Sequence, residues 1–127
     1  MNRPWIKVLF VIAGIYDVAL GVAFLFSGLS IFRIAGVTPP SHIGYVQFPA
    51  LLLIIFGWMF FRVADNPVRN RDVMLYGVAL KASYSGVVLG HAVHGRMPML
   101  FLPWAWADLV FLVLFLLAWK QTEKATL

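Results

Sequence analysis

Four apolar stretches, each about 20 residues or longer, take up most of a 127-residue chain: roughly 5–29, 45–64, 73–94 and 99–119. This feature leaves few folds open. A segment of that length matches the thickness of a bilayer's hydrocarbon core. In hydrocarbon every backbone N–H and C=O needs an internal partner, so a span is either a helix or part of a closed barrel. Four spans cannot close a barrel. The expected fold is therefore all-α, an integral membrane four-helix bundle that forms a single transmembrane domain over residues 1–127. Composition agrees: 62% of the residues are hydrophobic and only 12% are charged, against about 25% charged in a soluble domain. A chain this short has no soluble core large enough to hide so much apolar surface.

The ends of the stretches carry the signals expected at a membrane surface. Trp5, Tyr45, Trp104 and Trp119 lie near them, where interfacial aromatics belong. The first stretch has a basic start but is too long for a signal peptide. It also contains Asp17 and lacks a small-x-small cleavage site, so it is expected to be retained. Arg3, Lys7, Arg62, Arg69, Arg71, Lys120 and Lys124 fall on one side of the membrane, and Arg33 and Arg96 on the other. The positive-inside rule then places both termini in the cytoplasm, in an inner membrane, with the Thr38-Pro39-Pro40-Ser41 loop outside. The net charge of +5 is accounted for by these flanks and does not point to nucleic acid. The chain has no cysteine, which excludes disulfides, Cys-ligated metal and thiolate nucleophiles.

Three charged residues sit near the middle of spans: Asp17, Lys81 and Asp108. Each costs about 2.5–3.5 kcal/mol at a helix centre, so they are expected to face one another inside the bundle. Two acids and one base leave one surplus negative charge, which a shared or bound proton would neutralise. The cluster has two readings: an ion-pair device that fixes helix order, or a proton-coupled or ligand-binding site. On the first span Gly14, Asp17, Gly21 and Gly28 share one helical arc, and small residues there admit a close neighbour. On the third span Lys81, Tyr84, Val88 and His91 form a polar stripe. Ala82, Gly86 and Gly90 form a small-residue stripe on the opposite face, suited to another helix of this chain, a second copy or a membrane partner.

Other features gather toward the outer side. Pro49 and Pro103 can kink spans two and four, or sit in tolerated first turns. Gln47, Tyr45, Trp104 and Trp106 lie nearby. A cavity is expected there, with Gln47, Tyr84, His91 and Trp104 as ligand-contact candidates. His42, His91 and His94, with Met97 and Met99, have ligand types that suit copper(I); the alternative is interfacial histidines bonded to water or headgroups. A b-type haem is disfavoured, since both in-span histidines lie on one helix. No phosphate loop, nucleophile elbow or metalloprotease motif is present. The residues therefore identify neither a catalytic set nor a cofactor.

The segments GIYDVALGVAFLF, VADNPVRNRD, GVALKASYSGVVL and WADLVFLVLFLLAW resemble the DoxX-like small membrane proteins of bacteria. The resemblance covers most of the chain as short motifs on a four-span layout, and it implies a compact four-helix bundle. Members of that family are associated with thiosulfate oxidation and quinone reduction. Without cysteine, only a quinone-like or otherwise lipophilic ligand carries over. Three functions are open at this stage: an accessory protein that binds a lipophilic molecule, an enzyme acting on a quinone- or isoprenoid-like substrate, and a structural subunit of a larger membrane complex.

Overall fold

The computed structural model describes residues 4–126, with side chains described through residue 123; Arg3 and the Lys124 side chain, both part of the charge count above, lie outside that description. Among the described residues there are four helices and no strand: α1 (Pro4–Ala35), α2 (Gly44–Asp65), α3 (Arg71–Val93) and α4 (Leu102–Thr126), with a 3₁₀ turn at Met99–Phe101 before the last. All four helices are long and apolar enough to cross a membrane. The boundaries differ from the sequence expectation mainly in α4, which starts at Leu102 and continues seven residues past position 119, and in α1, which continues six residues past position 29 and carries Arg33 in its last turn.

That extension has a visible cause. Ser27 leaves helical geometry (φ −127°, ψ 19°), and a Ser-Gly pair is a recognised place for a helix to bend. The chain then resumes its helix and brings Phe32 against Phe101 of the 3₁₀ turn, ring centroids 6.1 Å apart. α1 ends at Gly36 (φ 71°), with Val37 N–H donating to Phe32 C=O and Gly36 N–H to Arg33 C=O. α3 ends in the same way at Gly95 (φ 70°), with Arg96 N–H on His91 C=O and Gly95 N–H on Ala92 C=O. Both are Schellman caps, whose left-handed position glycine adopts without a Cβ clash.

The helices form two antiparallel pairs, α1 on α2 and α3 on α4. Glycine makes the first pair close. A Cβ at Gly21 would fall 2.6 Å from the Ala50 carbonyl oxygen, and one at Gly57 would fall 2.9 Å from the Gly14 carbonyl oxygen and into the Val18 side chain. The arc expected on α1 is real: Gly14, Asp17, Gly21 and Gly28 are all buried.

The two pairs join at one end through a dry aromatic core. Phe10 stacks on Phe115 at 4.5 Å, and Phe60 meets Phe115 edge-on at 5.1 Å; Ile6, Ala13, Val63, Met74 and Ala118 fill the space around them. At the same end Trp5 Nε1 donates to Gln121 Oε1 and Arg71 Nε donates to the Trp119 carbonyl. Lys7, Arg62, Arg69, Arg71 and Lys120 therefore collect at this end, while Arg33 and Arg96 sit at the other. Toward that other end residues of all four helices line a cavity.

Candidate functional site

Asp17, Lys81 and Asp108 come from α1, α3 and α4 and meet inside the bundle. Lys81 Nζ lies 2.8 Å from Asp17 Oδ1 and 3.1 Å from Asp108 Oδ1. Asp17 is 0% exposed, Lys81 1% and Asp108 6%, so this is a desolvated triad and not a surface bridge. Its placement follows from helix periodicity: Met74, Gly77, Lys81, Ser85 and Val88 make up the buried arc of α3, at spacings of three and four residues. The ammonium also lies 5.1 Å from the Tyr16 ring centroid, 5.1 Å from Phe111 and 5.7 Å from Phe60. Aromatic faces attract a desolvated cation, which helps explain how a lysine is held at this depth.

Above the triad lies a cavity of about 420 Å³ that all four helices help to line. Asp17 and Asp108 are at its inner part, with Tyr16, Tyr84 and Trp104 beside them. Leu20, Phe24 and Phe32 of α1 form one wall, and Val46, Pro49, Ala50 and Leu53 of α2 another. Pro40 and the exposed Tyr45 mark the outer rim. Lys81 is not among the lining residues. Tyr84 Oη donates to the Phe101 carbonyl at 3.0 Å and Ser85 Oγ to the Ala105 carbonyl at 3.2 Å, which ties α3 to the start of α4 beside the cavity. Three buried polar atoms on the lining have no hydrogen-bond partner: Asp17 Oδ2, Tyr16 Oη and Trp104 Nε1. Two further unpartnered atoms, Arg71 Nη2 and Trp119 Nε1, lie away from the cavity.

The structure unites some of the sequence candidates and separates others. Tyr84 and Trp104 line the cavity, but Gln47 and His91 do not, and both are exposed. Gln47 is turned out because Val46, Pro49, Ala50 and Leu53 are the α2 positions that face in, and residue 47 stands about 100° around the helix from residue 46. His91 lies in the last turn of α3, beyond the packed arc that ends at Val88. Pro49 lies within α2, whereas Pro103 occupies the first turn of α4, where proline costs little.

The three histidines occupy different surroundings. Among the described residues, no group of three or more His, Asp or Glu is placed to hold a metal ion. His42 instead accepts the Gly44 N–H through Nδ1 at 2.9 Å, and His91 and His94 are exposed on α3 and its cap. The stripe of Ala82, Gly86 and Gly90 does not meet a helix of the same chain: all three are exposed, and a Cβ at Gly86 or Gly90 would touch nothing within 4 Å. Sequence reasoning missed Tyr16 and Ser85. Tyr16 precedes Asp17 directly, yet the 3.6-residue period alone does not reveal that a large phenol one position away reaches the same cavity.

No family model matches the chain, and no curated protein or solved structure is similar to it at a significant level. The DoxX-like resemblance therefore rests on the short motifs alone.

Proposed function

We propose that this chain is a multi-pass protein of a bacterial inner membrane, a DoxX-like four-span bundle with both termini cytoplasmic, that binds a lipophilic small molecule in the cavity above the Asp17–Lys81–Asp108 triad. One observation carries the reading: an apolar cavity of about 420 Å³, lined by all four helices, has the two carboxylate residues of the triad among its lining. A structural ion pair needs no cavity beside it, and its polar atoms are normally satisfied from within. A mostly apolar pocket with a few convergent polar groups is the usual form of a small-molecule site. The basic end of the bundle supports the orientation through the positive-inside rule.

The reading is tested by photolabelling the purified protein in detergent with a small lipophilic diazirine and mapping the labelled peptides. The expected sites are Tyr16, Asp17 and Trp104, with labelling lost in Leu53→Trp, which fills the cavity from the α2 wall. Labelling confined to outward residues such as Phe26 and Val87 in both proteins would overturn it.

A further inference from the structure

We propose that the ligand of this cavity is a lipophilic organic cation, a protonated amine on an apolar body, whose charge is recognised by Asp17 and Asp108. The inference rests on the reading that the cavity binds a lipophilic molecule and names the class of that molecule.

The first argument is formal charge. Two carboxylates and one ammonium leave a surplus of one negative charge, buried at the inner part of the cavity. The second is arrangement. Lys81 engages the Oδ1 atom of each carboxylate, at 2.8 and 3.1 Å, and both acids line the cavity while Lys81 does not. A molecule in the cavity therefore meets acids and no base: no Lys, Arg or His is among the lining residues. Asp108 keeps 6% exposure where Asp17 has none, so it is the carboxylate that a molecule in the cavity reaches first. An ammonium N–H there brings a donor and the balancing charge together.

The walls fit the same ligand. Tyr16, Phe24, Phe32, Tyr45, Phe101 and Trp104 all line the cavity. Aromatic faces bind organic cations through the ring quadrupole, more strongly where water is excluded. An anionic head would meet two carboxylates, whereas a cationic head balances the surplus charge that a bound proton otherwise neutralises.

The test compares three probes on the purified full chain in non-ionic detergent by equilibrium binding: dimethyloctylamine in its protonated form, the branched alkane in which carbon replaces the amine nitrogen, and decanoate. The amine is expected to bind about tenfold or more tighter than the alkane, and decanoate weakest. Asp17→Asn is expected to reduce the amine's advantage by about tenfold. Asp108→Asn serves as the second variant, should the first fail to fold as judged by gel filtration and helical circular dichroism. Equal affinity for amine and alkane, both abolished by Leu53→Trp, would overturn the charge recognition while leaving the cavity a lipophile site. Tightest binding of decanoate would also overturn it. No binding by any of the three would overturn both readings.

Discussion

Removing the charges of the triad one class at a time should give losses that do not add. In Asp17→Asn/Asp108→Asn, the Lys81 ammonium remains 1% exposed with no anion in reach. Its remaining neighbours include the faces of Tyr16, Phe60 and Phe111 at 5.1–5.7 Å, which attract a cation but are not full counter-charges. Stranding one partner of a buried ion pair costs about 3–5 kcal/mol, and that is the expected loss. Lys81→Met removes two charge-assisted hydrogen bonds, each worth about 1.5–3 kcal/mol. Of the abandoned carboxylates, Asp108 keeps 6% exposure at the cavity, where water or a ligand can reach it. The loss in Lys81→Met should therefore be smaller, about 2–3 kcal/mol. The triple variant strands nothing and should be more stable than the double acid variant by about 2 kcal/mol or more. Thermal melting in detergent measures all three against wild type. Additive losses, with the triple variant least stable, would refute the claim that these residues act as one unit.

The glycine contacts give a paired prediction. Gly21→Ala should cost about 1–3 kcal/mol through overpacking against the Ala50 carbonyl, whereas Gly86→Ala, with nothing within 4 Å, should be neutral or stabilise by up to about 1 kcal/mol; equal effects on melting would contradict the close α1–α2 contact. Phe115→Ala should cost about 3–5 kcal/mol, since the ring is 0% exposed and touches Phe10 and Phe60; a change under about 1 kcal/mol in the same assay would mean the core is not packed there. For orientation, Thr38→Cys in intact cells should react with an impermeant thiol reagent and Asn66→Cys should not. The reverse pattern would invert the topology.

Much of the fold is legible in the sequence because the membrane constraint is so strong. Four apolar stretches predict four helices, and the cost of Asp17, Lys81 and Asp108 in hydrocarbon predicts that they turn inward. Lys81 contacts both acids directly. Details that depend on helix rotation and on where packing stops are harder to read. Gln47 and His91 are polar and near the right level, but the first points away from the bundle and the second lies past its packed length. The small stripe at Gly86 and Gly90 looks like a helix contact in sequence, yet within this chain it faces outward. The cavity was legible only as a clustering of prolines and polar groups on one side. Its walls come from all four helices, beside a core built on Phe10, Phe60 and Phe115, a tertiary arrangement that no local pattern encodes.

Native mass spectrometry of the protein released from a mild detergent tests most directly whether the cavity above the triad holds a ligand. A stoichiometric small-molecule adduct is expected on the wild-type chain, retained at low collision energy and absent from Leu53→Trp. The bare chain mass alone for wild type prepared from its native membrane, or the same adduct on both proteins, would contradict it.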